Sequence, residues 1–256
     1  MVTIKTQEEI EILREGGKRL AFILRELEKM VAPGVSTKAL DDRARELALE
    51  GGDELSLLHY KPYGAKRPYP ASMCVSINDE VVHGIPSEDR ILKEGDIVGL
   101  DFCITHKGMV VDSAITVPVG KIDDEAKTLL KVTREALQKG IEAARGGARI
   151  GDIGYAIETF ATSRGFSNAE GLAGHGVGYA VHEEPYVPNT GKKGTGILLK
   201  PGMVIAIEPM LNIGTGKIKL DQDGYTFRTR DGKRSAHFEH TVAITDGPPI
   251  VLTKGE

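Results

Sequence analysis

Asp101, Asp112, His175, Glu208 and Glu239 are the side chains whose types suit a metal ion, and His83 and His182 add two further imidazoles. Two β-rich runs, residues 96–104 and 109–117, are joined by Thr105-His106-Lys107-Gly108. A short turn centred between His106 and Lys107 predicts Asp101 directly opposite Asp112, with Cβ atoms ~5 Å apart on one face of a sheet. Two bare carboxylates there repel by roughly 3 kcal/mol at an effective dielectric near 20. The neighbours on that face, Gly99 and Ala114, offer no relief. A shared proton, an arginine or a metal would compensate. A metal fits best, because Glu208, Glu239 and His175 bring the same kind of ligand. Asp112 and Glu239 can bridge, with Asp101 on one ion and His175 with Glu208 on the other. Four carboxylates and one imidazole suit two divalent ions, Mn, Fe, Co or Zn, and not a thiolate site. Two ions about 3.5–4 Å apart can hold a hydroxide between them and polarise a carbonyl. Glu208 is then ligand and base together. His182 is free to stabilise an oxyanion, with His83 approaching from the other side.

The elements that must position these residues follow from periodicity. Thr6 with Glu9 makes a capping box. Ile10, Leu13, Leu20, Leu24, Leu27 and Val31 then predict an amphipathic helix to about Met30. Pro33-Gly34 breaks it, and a second helix runs from about Thr37 to Gly51-Gly52. Residues 53–72 read as loop, and strands are expected over 73–77, 80–83, 96–104 and 109–119. Asp123 caps a third helix that ends at Arg145-Gly146-Gly147. Asp152 is expected to cap a fourth, ending at Arg164-Gly165, before strands resume. The order is two helices then strands, twice over. Leu92-Lys93-Glu94-Gly95 through Asp101 reads against Leu199-Lys200-Pro201-Gly202 through Glu208. Val82-His83 reads against Val181-His182, and Val111-Asp112 against Phe238-Glu239. Each half offers one histidine and two carboxylates in the same order, so an internal repeat about a pseudo-twofold axis is expected. His175, in the glycine-rich run Gly174-His175-Gly176-Val177-Gly178, has only Ser76 as its counterpart.

A chain of 256 residues with 40% hydrophobic and 27% charged content is an ordinary globular protein. We expect one domain over 1–256, in halves of about 1–120 and 121–256. A net charge of −4 argues against bulk nucleic-acid binding. No apolar run resembles a signal peptide or a membrane span, and two cysteines make no disulfide framework. A cytoplasmic location is the expectation.

These motifs together, with Ile207-Glu208-Pro209-Met210 and Phe238-Glu239-His240-Thr241, resemble methionine aminopeptidase of type I over essentially the whole chain. The resemblance implies the α+β "pita-bread" fold, a curved antiparallel sheet with two helix pairs on its outer face. It implies the five ligands above, with His83 and His182 contacting substrate. It implies removal of N-terminal methionine from nascent chains when the second residue is small, a mostly monomeric enzyme and a transient ribosome contact. The basic residues Lys192, Lys193, Arg228, Arg230, Lys233 and Arg234 nevertheless read first as solvated faces. The long insertion of type II relatives has no room between His182 and Glu208. The implied methionine pocket maps onto Tyr69, Cys74, Val181 and Tyr225. Many relatives have an aromatic residue at Val181 and tryptophan at Tyr225, so looser walls are expected. His237, where relatives often carry glutamine, shares a strand face with Glu239 and is not counted as a ligand. His59, His106 and His240 read as bland. Proline-specific peptidases share this fold but usually carry an additional N-terminal domain. Pita-bread binding proteins and metal-free creatinase-type hydrolases should have lost a ligand carboxylate.

Overall fold

The structure, a computed structural model, describes residues 1–62 and 64–255, so the loop expected over 53–72 falls outside the described residues at Tyr63, as does the chain end at Glu256. The first half contains α1 (Gln7–Met30), α2 (Thr37–Glu50), β1 (Glu54–Leu55), β2 (Cys74–Ile77), β3 (Glu80–Val82), β4 (Ile97–His106) and β5 (Met109–Pro118). The second contains α3 (Asp124–Ala143), α4 (Ile150–Thr162), β6 (Ser167–Asn168), β7 (Ala173–Gly176), β8 (Glu183–Pro188), β9 (Val204–Ile207) and β10 (Met210–Asn212). It continues with β11 (Ile218–Leu220), β12 (Phe227–Thr229), β13 (Ser235–His237), β14 (Glu239–Ala243) and β15 (Ile250–Val251).

Local chemistry sets the helix ends. The Thr6 hydroxyl accepts the Glu9 N–H and the Glu9 carboxylate accepts the Thr6 N–H at 2.7 Å, the expected reciprocal cap. The Asp123 side chain accepts from the Ala126 N–H. Asp152 departs from expectation. It sits in the first turn of α4, and its carboxylate reaches back to the Arg149 N–H at 2.8 Å. Arg149 is the boundary residue, because its extended backbone also bridges to Leu198.

The large sheet is antiparallel throughout, in the order β1-β4-β5-β14-β9-β7-β8, with β2 also on β4 and β15 on β14. Outward from the central β5–β14 pair, β4 and β2 on one side mirror β9 and β7 on the other. This is the pita-bread arrangement with its internal repeat. Leu13, Leu20, Leu24 and Leu27 of α1 and Leu40 of α2 pack with Leu100, Phe102 and Ile104 of β4 in one core. Leu129, Ile153 and Ile157 of α3 and α4 pack with Ile205, Ile207 and Val242 in the other. Strand alternation turns Asp101, Asp112 and Glu239 to the opposite face.

The hairpin register differs from expectation. Lys107 has φ 48° and Gly108 φ 81°, a two-residue turn with both central residues left-handed. The His106–Met109 pair closes it, so the centre lies between Lys107 and Gly108. Asp101 therefore pairs with Ala114, and Asp112 with Cys103. The two aspartates are diagonal neighbours, roughly 7–8 Å apart by strand geometry, still on one face. The direct opposition is removed, and the charge problem passes to the cavity as a whole.

Candidate metal centre and its pocket

Seven residues singled out from the sequence, His83, Asp101, Asp112, His175, His182, Glu208 and Glu239, line one cavity of about 110 Å³. Four of them lie on strands of the large sheet and a fifth directly follows one. Asp101 lies mid-β4, Asp112 on β5, His175 on β7 and Glu239 at the start of β14, while Glu208 directly follows β9. Asp112, His175 and Glu239 form the tightest group, each offering one atom within 4.8 Å of the others. His175 Nε2 also lies 3.4 Å from Glu208 Oε1. Asp101 stands on the same cavity wall, beside its ladder partner Cys74.

The glycines around His175 act by close approach. A Cβ on Gly174 would lie 2.2 Å from the Ala206 carbonyl oxygen, and one on Gly176 would lie 2.2 Å from that of Glu184. Strand β7 thus threads between β9 and β8 with no space for side chains at those positions. His175 Nδ1 faces the Gly176 carbonyl at 2.9 Å, which leaves Nε2 for the cavity.

Side-chain hydroxyls brace the ligand strands. Thr241 Oγ1 donates to the Asp112 carbonyl at 2.7 Å and accepts the Asp112 N–H at 3.0 Å. Ser113 Oγ donates to the Glu239 carbonyl, and Asn189 Nδ2 to the Glu208 carbonyl. None of these partners was legible in the sequence, since each lies far from the residue it braces.

The electrostatics are those of a site built for cations. Burial, followed by the charge of Asp112, pushes Asp101, Glu208 and Glu239 well above the carboxylate range. Burial raises Asp112 to about 6, against the Cys103 thiol and the Ser113 N–H, which pull it down. Burial lowers His175 to about 3 and His83 to about 4, so both imidazoles are neutral at pH 7. Asp112 Oδ1 and Glu239 Oε1 are buried with no hydrogen-bond partner among the described residues. Neutral imidazole, several carboxylates and orphaned oxygens converging on one point fit divalent metal, which satisfies all three conditions at once.

A second cavity of about 100 Å³ adjoins the first and is largely apolar. Tyr69, Cys74 and Tyr225 line it as expected, with the two tyrosine rings edge to face at 5.1 Å. Val181 does not line this pocket. It lines the metal cavity instead, because Val181 is buried in the α1–α2 core beside His182. Leu57, Tyr60 and Pro62 complete the apolar wall. Tyr60 was missed, for it stands in an aperiodic loop. Its hydroxyl lies 2.8 Å from His182 Nδ1. His83 and His182 line both cavities, and His83 takes a left-handed backbone with φ 61°. Such geometry costs about 1–3 kcal/mol and is found where a side chain must be aimed.

Two of the three bland histidines have structural partners, and His59 is exposed. His106 Nδ1 meets Asp53 at 2.6 Å, and His240 Nδ1 meets Thr253 Oγ1 at 2.9 Å. Arg228 is no solvated cation: it pairs with Asp79, Glu80 and Asp221.

The sequence pattern of metallopeptidase family M24 matches residues 11–246. A methionine aminopeptidase of Aquifex aeolicus is 47% identical over 257 residues, 99% of this chain and 99% of its own. The crystal structure of a methionine aminopeptidase from Thermotoga maritima matches with a TM-score of 0.94 at 40% identity, over 99% of this chain and 100% of that one. A prolidase from Pyrococcus furiosus matches at 0.77 and 23% identity, over 99% of this chain and 66% of its own, which shows a shared fold alone. The breadth and identity of the first three matches separate this chain from the proline-specific branch: it belongs to metallopeptidase family M24, among the methionine aminopeptidases.

Proposed function

We propose that this protein removes the N-terminal methionine of nascent proteins and peptides whose second residue is small, using two divalent ions. The observation that carries this reading is the junction of the two cavities, carboxylate-rich beside apolar, with His83 and His182 on the shared rim. The apolar pocket accepts an unbranched thioether, and the sulfur gains from nearby aromatic edges such as Tyr69 and Tyr225. Asp101, Asp112, His175, Glu208 and Glu239 would hold the ions. Divalent ions held by these residues would supply Lewis acidity for a water and a peptide carbonyl.

The chain's own residues do the rest. Glu208, held high by burial, accepts a proton and can return it to the leaving amine. With the Tyr60 hydroxyl donating to Nδ1, neutral His182 carries its proton on Nε2 and offers it to the developing oxyanion. His83 closes the opposite side. The fold is one catalytic unit of two halves, about 1–120 and 121–256, acting as a monomer in the cytoplasm with transient contact at the ribosome.

The test supplies metal-stripped protein with Mn, Fe, Co or Zn and follows cleavage of Met-Ala-Ser beside Ala-Pro-Ala. Methionine release from the first peptide alone is expected. Cleavage of the second alone would move the chain to proline-specific chemistry, and no cleavage with any ion would leave a binding protein.

A further inference from the structure

His237 ends β13, and its backbone is clamped from both sides. Its N–H donates to Thr116 Oγ1 at 2.9 Å, and the same hydroxyl donates to its carbonyl at 2.7 Å. The side chain is only 4% exposed, and Nε2 has no hydrogen-bond partner among the described residues. That nitrogen lies 3.6 Å from Glu208 Oε2 and 3.8 Å from Glu239 Oε2. These separations are too long for hydrogen bonds. A protonated imidazole between two carboxylates would be drawn to roughly 2.8 Å. Two donors sharing one ion at ~2.1 Å each stand roughly 3.0–3.4 Å apart for octahedral or tetrahedral angles, and the observed 3.6 and 3.8 Å lie a few tenths of an ångström beyond that span, a gap that a small side-chain movement closes. Glu208 is divided between two imidazoles, Oε1 facing His175 Nε2 at 3.4 Å and Oε2 facing His237 Nε2.

We propose that His237 is a further metal ligand, donating Nε2 to the ion that Glu208 and Glu239 share. This rests on the metallopeptidase reading above and deepens it. The site then holds two imidazoles, with His237 and His175 on either side of Glu208. A second nitrogen donor favours cobalt and zinc over manganese, following the affinity order for nitrogen sites. Asp112, Glu239 and Glu208 remain the carboxylate floor, so the ion count does not change.

The decisive experiment uses metal-stripped full-length protein reloaded with Co(II), read by proton NMR and by titration calorimetry. Coordinated imidazoles give hyperfine-shifted N–H resonances, and two are expected in the wild type. His237→Gln should lose one of them, weaken Co(II) binding about 10–100-fold, and weaken Mn(II) binding less. A single imidazole resonance in the wild type overturns the proposal without any variant. So does His237→Gln with an unchanged spectrum and unchanged Co(II) affinity. Failure of the wild type to bind Co(II) at all would instead sink the metal reading itself. Thermal melting of the metal-free proteins checks that the glutamine variant is folded.

Discussion

Asp112 shows how burial prepares one carboxylate of the proposed metal site. Its backbone is tied to Thr241, its side chain is buried beside Cys103, and one oxygen is left without a partner. Its folded pKa of about 6 lies above the value near 4 of an unfolded aspartate. In the metal-free protein its stabilising contribution is therefore whole below pH ~4 and is lost as pH rises through about 6. Asp101, Glu208 and Glu239 shift in the same direction. Metal loading below pH about 6 must displace the proton that Asp112 holds there. Calorimetric titration in buffers of different ionisation heat should show net proton release, and affinity should climb as pH rises past 6. Heats that ignore the buffer would contradict protonated carboxylates in the empty site. His182 acts differently, since it touches no ion in this scheme. His182→Ala should keep its metal and lose about 10²–10³ in kcat, the scale of one oxyanion donor. Unchanged turnover would remove it from the mechanism.

At the scale of elements, the placing of His175 depends on how closely strands approach. Strand β7 lies against β9 because Gly174 has no Cβ to meet the Ala206 carbonyl 2.2 Å away. Gly174→Ala must push the two backbones apart, and His175 moves with the strand. Disturbing what orients a metal ligand costs roughly 10–100-fold in affinity. We expect a lower melting temperature together with metal affinity reduced at least ~10-fold. Melting that falls while affinity stays intact would show that the displacement stops short of His175. The β4–β5 hairpin makes the complementary point. Its Lys107-Gly108 turn sets which residues face each other, and moving the turn centre by one residue shifted each pairing by two. The shift kept every side chain on its face, so the carboxylates still reached the cavity.

Across the whole molecule, the N-terminal segment braces the site. The Lys5 N–H donates to the Gly202 carbonyl, and its ammonium, with no exposed side-chain surface, meets Glu183 at 2.7 Å. Glu183 accepts Thr3 Oγ1 at 2.6 Å and the backbone N–H groups of Tyr179 and Ala180 as well. Burial raises the Glu183 carboxyl, but these hydrogen bonds, led by Lys5, bring it below its usual value. One carboxylate thus ties the chain start to the turn carrying His182. Lys5→Met leaves that charge buried with its cation gone. It should cost about 3–5 kcal/mol in denaturant unfolding, with turnover falling because the turn loosens. A loss under ~1 kcal/mol would mean that the backbone donors alone hold Glu183.

Residue type and spacing determined the candidate donors that the fold brings to one cavity, the two-helix-then-strand order repeated twice, and the face on which each strand residue lies. Those are local properties, set by periods of 2 and 3.6 and by capping chemistry such as Thr6 with Glu9. Tyr69, Cys74 and Tyr225 were legible as pocket walls through the family resemblance. The tertiary structure decided the rest. Diagonal rather than direct pairing of Asp101 and Asp112 came from left-handed backbone at Lys107, which spacing alone does not reveal. The Tyr60 contact to His182, the Thr241 brace on Asp112 and the approach of His237 to Glu208 join residues far apart in the chain. Such contacts depend on how strands pack across the sheet, and no local pattern in the sequence encodes the partner.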